Sequence, residues 1–235
     1  MKMQKSYHIE KDKLVLADEK VKYPKGCINF GLAHGIIAPL IALAKAKKYG
    51  YNVKGINATI SGLRQLYEKY SVRDMNILKY PTMLSVEDYF SNTVSKDSIT
   101  YNAGWCYGNA GIVRGLMKVS YYLNDNNNYQ YYKKELLSII NQELDNYNFD
   151  LPIVCHGYAS VLSIQISAFR ESGDKSFLIT RERNMRQTII SHRNCIFNDE
   201  YTNDYSILSG ESGTILTLIN GIYLGKEYPK LLMID

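Results

Sequence analysis

Side chains able to bind a soft metal or act as nucleophiles recur at one kind of place in this 235-residue sequence. His34 lies in Gly31-Leu32-Ala33-His34-Gly35, and Cys106 in Gly104-Trp105-Cys106-Tyr107-Gly108. Cys155 and His156 adjoin in Cys155-His156-Gly157. Each stretch ends on a glycine that precedes an apolar helical pattern, so the reactive groups sit in loops before helices. Zn²⁺ favours cysteine sulfur and histidine nitrogen, and a catalytic zinc keeps three protein ligands and one open position. Cys106, Cys155 and His156 supply such a set, which soft-ligand chemistry separates from a Mg²⁺ or Ca²⁺ site. Nearby helix N-termini favour the ionised thiols. Residue types and spacing alone leave a second reading open, because buried cysteines often serve only as small apolar side chains. Cys27 and Cys195 take that second reading, and His8 and His192 are expected at the surface.

The elements that would position these loops form a weak repeat. Gly35-Ile36-Ile37-Ala38, Gly108-Asn109-Ala110-Gly111, Gly157-Tyr158-Ala159-Ser160 and Gly210-Glu211-Ser212-Gly213 share a glycine, two residues and a small residue ahead of an apolar run. Their glycines stand 73, 49 and 53 residues apart. That spacing fits one helical hairpin per unit of about 50 residues, with an insertion at 71–101. Stacked hairpins of this size build solenoids or rings, in which equivalent loops open at one end.

Helical spacing runs through Val53, Ile56, Ile60, Leu63, Leu66, Tyr67 and Tyr70, then through Ile112, Leu116, Val119 and Leu123. Leu136, Ile140, Leu144 and Tyr147 repeat it. Residues 215–223 are apolar nearly all round, which predicts a buried helix. The run Asn124-Asp125-Asn126-Asn127-Asn128 reads as a polar connector. Residues 71–101, with Pro81 and many short polar side chains, read as irregular. Residues 1–25 read as a short hairpin or irregular cover. The expected class is all-α.

Bulk properties exclude several alternatives. Net charge is +5, carried by short mixed clusters such as Lys45-Ala46-Lys47-Lys48, which does not mark a nucleic-acid binder. The N-terminus has no apolar core of a signal peptide. The apolar stretch 36–44 contains Pro39 and falls far short of the roughly 20 residues a membrane span requires. The chain therefore reads as cytoplasmic, and its four cysteines as reduced. The 21 tyrosines are expected half-buried, ring inside and hydroxyl wet.

Four stretches resemble the lanthionine synthetase C-like cyclases, which close thioether rings in lantibiotic peptides. They are residues 23–35 (Tyr23-Pro24 through His34-Gly35), Gly104-Trp105-Cys106-Tyr107-Gly108, Cys155-His156-Gly157-Tyr158 and Ser209-Gly210-Glu211-Ser212-Gly213. The resemblance, nearest to the dedicated nisin- and subtilin-type cyclases, covers the C-terminal portion of the family. It implies an α/α toroid, here partial with about four inner-helix repeats. A short irregular or β segment at 1–26 would precede a partial toroid at 27–235. It implies Zn²⁺ on Cys106, Cys155 and His156, His34 as acid/base, and Tyr107 lining the site. The implied reaction adds a peptide cysteine thiol to dehydroalanine or dehydrobutyrine. The implied partners are a dehydrated precursor peptide and the dehydratase and transporter of a synthetase complex, which would hold the protein at the membrane periphery. Asn102 and Ala103 stand where the family has Arg-Asp. The alternative is therefore a catalytically impaired zinc protein that binds a peptide or a glutathione-type thiol.

Overall fold

The computed structural model describes residues 7–198, 204–224 and 232–234. It is mostly helical. The chain runs through α1 (Ala17–Lys22), β1 (Cys27–Asn29), α2 (Ile37–Lys48), α3 (Ile56–Lys69), β2 (Val72–Asp74), β3 (Ile77–Lys79), β4 (Met83–Ser85) and α4 (Val86–Ser91). It continues through α5 (Asn109–Tyr122), α6 (Asn126–Ile140), α7 (Tyr158–Ser172), α8 (Arg181–Phe197) and α9 (Glu211–Tyr223). The helices pair as hairpins, α2 with α3, α5 with α6 and α7 with α8. The first helix of each hairpin packs on the next, in the order α2, α5, α7, α9. These four inner helices form an arc of a toroid, and no closed barrel results.

The four loops before the inner helices share one construction. In each, a backbone N–H at the helix start donates to the carbonyl seven residues earlier: Ile36 to Asn29, Asn109 to Asn102, Tyr158 to Leu151 and Glu211 to Asp204. The chain thus curls back on itself just ahead of each helix. A Cβ on Gly108 would meet the backbone of Gly104, one on Gly157 that of Leu151, and one on Gly210 that of Asp204. The repeat glycines are required by this close approach, not by an unusual backbone angle. Three of the four loops open with an Asx turn. The side-chain oxygens of Asn29, Asn102 and Asp204 accept from the backbone N–H groups of Gly31, Gly104 and Ser206 at 2.9, 3.0 and 2.8 Å.

Several elements differ from the sequence reading. The insertion at 71–101 is not irregular: β2 pairs with β3 as an antiparallel hairpin, and β4 pairs with β1 in register Cys27 to Ser85. These three-residue strands are too short for periodicity to register. Residues 1–25, read as a short hairpin or irregular cover, carry no hairpin in their described part: a 3-10 turn at Lys11–Lys13 leads into α1, tied down by an Ile9–Cys27 bridge; residues 1–6 lie outside the described residues. The spacing that ran on to Leu144 and Tyr147 breaks after Ile140, and Leu144–Tyr147 is a separate 3-10 turn. The Tyr147 hydroxyl donates back to the Ile140 carbonyl and so satisfies the helix end. The polar connector is shorter than expected, because Asp125 caps α6 by accepting from Asn128 N. Residues 215–223 do not form a buried helix. α9 buries Gly213, Thr214, Thr217, Asn220 and Gly221, and leaves Ile215, Leu216, Ile219 and Ile222 well exposed.

A cluster of charged side chains is buried at the centre of the arc, among apolar neighbours. Arg114 of α5 is fully buried and donates to Glu171 of α7 at 2.8 and 3.0 Å. Lys118 joins the same carboxylate at 2.6 Å. Arg114 also donates to the Ile234 carbonyl, and the Trp105 indole N–H donates to the Leu232 carbonyl at 2.8 Å. The segment 232–234 is thereby held behind the loop that carries Cys106.

Candidate metal centre

Loop equivalence explains how the reactive side chains meet. Counted from the residue whose carbonyl accepts the seven-residue backward hydrogen bond, the fourth position after it is Ala33, Cys106, Cys155 and Leu208 in the four loops, and the fifth is His34, Tyr107, His156 and Ser209. The fourth positions form a backbone ladder across the loops. Ala33 N–H donates to the Cys106 carbonyl at 3.2 Å, Cys106 N–H to the Cys155 carbonyl at 3.1 Å, and Cys155 N–H to the Leu208 carbonyl at 2.9 Å. Equivalent side chains are stacked side by side at one end of the arc. The two middle loops place Cys106 and Cys155 together, with His156 at the next position.

The Sγ atoms of Cys106 and Cys155 and a ring nitrogen of His156 all lie within 4.8 Å of one another. Two ligands bound to one tetrahedral zinc are separated by about 3.5–4 Å, so the donor set and its spread fit that ion with small adjustments. Cys106 is buried, Cys155 half-buried and His156 exposed. A cavity of about 540 Å³ opens on the cluster, walled by Tyr107, Asn102, Phe149, Asp150 and Leu151 among others.

The thiols are electrostatically unequal. Cys106 donates a hydrogen bond to Cys155 and holds it down to about 5, against the cost of burial and with help from His156 and His34. That same bond, with burial, raises Cys106 far above an ordinary thiol. His156 is raised by its hydrogen bond to Cys155. The shared hydrogen bond thus makes Cys155 the more readily ionised of the two thiols, and metal binding takes the thiolate form.

His34 is exposed at the rim, its ring stacked on that of Tyr107 with centroids 5.7 Å apart. It does not line the cavity over the sulfurs. Burial raises the Tyr107 phenol, which hydrogen-bonds the Asn29 side chain. Asn29 escaped the sequence reading, although a polar residue inside the apolar strand β1 was a signal; it is buried and holds both Gly31 and Tyr107. Phe149, Asp150 and Leu151 carried no such signal. Cys27 and Cys195 are buried and stand outside the cluster, as expected. His8 donates from Nε2 to the Lys25 carbonyl at 2.8 Å. His192, expected at the surface, is largely covered between α8 and α9 with Glu211 at 3.9 Å.

Among the described residues no helix is long and apolar enough to cross a membrane. The chain matches the lanthionine synthetase C-like protein family over residues 2–233. It is similar to the nisin biosynthesis protein NisC of Lactococcus lactis subsp. lactis, with 27% identity over 161 residues, which are 68% of this chain and 37% of that protein. It is also similar to the solved structure of a nisin cyclase, with a TM-score of 0.82 and 24% identity over 98% of this chain and 56% of that one. The chain thus spans about half or less of the length of these relatives.

Proposed function

Because this chain belongs to the lanthionine synthetase C-like family, we propose that it acts as a zinc-dependent lanthionine cyclase, with Cys106, Cys155 and His156 as the metal ligands. The observation that supports this most is the meeting of two sulfurs and one imidazole nitrogen within 4.8 Å at the floor of an open cavity. Zn²⁺ held there would supply Lewis acidity at its fourth position, lowering a substrate thiol from the free-cysteine pKa of about 8.5.

The chain's own residues do the rest. Phe149 and Leu151 give the cavity an apolar wall that excludes water from the thiol. In the proposed conjugate addition the thiol proton leaves to solvent, and an S–C bond forms at the β-carbon of a dehydroalanine or dehydrobutyrine as its C=C π bond opens. The α-carbon then takes up a proton. His34 delivers that proton, since imidazole holds and gives protons near neutral pH. Tyr107, itself fixed by Asn29, orients the His34 ring by stacking. Residues 1–26 are the proposed N-terminal extension, and 27–235 the proposed partial toroid with the zinc site. The substrate is a dehydrated precursor peptide, and the dehydratase and transporter of a synthetase complex are the proposed partners, at the cytoplasmic face of the membrane.

Metal analysis tests the ligand set. The chain should bind one zinc, and Cys106→Ala, Cys155→Ala and His156→Ala should each lose it, while His34→Ala keeps it but fails to consume thiols of a dehydrated peptide. Full zinc in any ligand variant removes that ligand. A second reading, a zinc protein that holds a thiol without ring closure, is favoured by Asn102. Its oxygen is committed to Gly104 N–H, and it brings no cation to the cavity. Counting free thiols of a dehydrated peptide before and after incubation separates the two.

A further inference from the structure

A second cavity, of about 340 Å³, lies beyond the metal cluster's own, and Asn102 and Asn148 line both. Its remaining walls include Asp74 and Lys79 of the β2–β3 hairpin, and Gln142 and Asn146 from the segment between α6 and α7. This volume falls in the range of small-ligand sites. Its charges cancel: Lys79 pairs with Asp74 at 2.7 Å and lies over the Tyr101 ring at 4.3 Å. The rest of the lining is apolar at Met75, Ile77, Ala103 and Ile139, and its uncharged polar groups are chiefly the carboxamides of Asn102, Gln142, Asn146 and Asn148, which both donate and accept.

The two residues at the junction are pre-set by their neighbours. Asn102 spends its side-chain oxygen on Gly104 N–H, which leaves its Nδ2 as a donor. Asn148 spends its Nδ2 on the Tyr101 carbonyl at 2.8 Å, which leaves its Oδ1 as an acceptor. One fixed donor and one fixed acceptor side by side match the C=O and N–H of a peptide main chain. We propose that a thiol-bearing peptide runs from the metal cluster across Asn102 and Asn148 into this second cavity, held there by its main chain rather than by its side chains. The inference rests on the metal-site reading above and names the ligand class of the adjoining subsite. Main-chain recognition makes the subsite tolerant of sequence, because every residue presents the same amide.

The test uses the Co²⁺-substituted protein, whose thiolate-to-cobalt absorption reports an arriving thiol without any turnover. Three thiols are titrated: N-acetylcysteine methylamide, the same cysteine extended by three glycines at its N-terminus, and the same extended at its C-terminus. One extended peptide should bind about tenfold tighter than the single residue, a difference that only main-chain contacts supply. That ratio should collapse toward one in Gln142→Ala/Asn146→Ala, a variant that keeps its cobalt spectrum if folded. Equal affinity for all three thiols, or a ratio that survives in the variant, overturns the subsite while leaving the metal reading intact. Cys106 and Cys155 already give bound cobalt a thiolate band, so a band that neither grows nor shifts with any of the three thiols overturns both.

Discussion

Helices α7 and α9 begin alike and end in opposite environments. Each follows a repeat glycine, and each closes its loop with the same seven-residue backward hydrogen bond. In α7 every residue from 159 to 168 is buried. Its buried polar side chains are paired: Ser163 with Thr217, Gln165 with Thr180 and Asn184, and Ser167 with Arg114. In α9 the buried face is Gly, Thr and Asn, and the Thr214 hydroxyl and the Asn220 Nδ2 have no partner among the described residues. The isoleucines of α9 and Leu216 face outward. α7 stands mid-arc, between α5 and α9 and against α8, whereas among the described residues α9 packs chiefly on α7 and α8. The number of neighbours, not apolar content, decides which face of an inner helix is buried.

The largest effect should come from the mid-arc network. Arg114→Met leaves the Glu171 carboxylate buried with Lys118 as its remaining cation. Removing one partner of a buried pair strands the other charge, at a cost of roughly 3–5 kcal/mol. Urea unfolding should show a loss of at least about 3 kcal/mol here, softened only by Lys118. A loss below about 1 kcal/mol would mean that the stability of the centre lies elsewhere.

The same carboxylate sets a pH signature. Burial pushes Glu171 up, but the charges and hydrogen bonds of Arg114 and Lys118 overrule it and hold it down to about 2. A group depressed in the folded state stabilises fully above its unfolded pKa, about 4.3 for glutamate, and loses that contribution as pH falls toward the folded value. Stability should therefore decline between about pH 4.5 and pH 2, by an amount on the order of 3 kcal/mol from this group. Glu171→Gln should flatten that part of the profile. An unchanged acid limb in the variant would assign the decline to other carboxylates.

Legibility in the sequence followed the same division. The glycine repeat announced four loop-to-helix junctions, and all four share one geometry. The clustering of Cys106, Cys155 and His156 was readable because equal loop positions become neighbours when equal units stack. Three things were not readable. Asn29, Asn102 and Asp204 form the same turn, but the third loop has Leu151 in that place, which hid the pattern. The strands of the insertion are three residues long and carry no period. The burial of α9 depended on what packs against it, and a helix that is apolar all round does not say how many neighbours it has.

A conservative pair of substitutions measures that last point with the smallest perturbation. Ile164→Val in α7 and Ile219→Val in α9 each remove one methylene, and both residues are β-branched, so helix propensity cancels. Ile164 is 0% exposed and Ile219 46% exposed. The first change opens a small void among packed neighbours and should cost about 0.5–1.5 kcal/mol. The second removes a group already half in water and should stay within about 0.5 kcal/mol. Urea midpoints at constant slope give both values. If Ile219→Val costs as much as Ile164→Val, the outer face of α9 is covered in solution, and the contrast between mid-arc and edge fails where it is sharpest. If the two differ as expected, Ile219 is loosely packed, and the face of α9 that buries Gly213, Thr214, Thr217, Asn220 and Gly221 is the one that chiefly holds it to the arc.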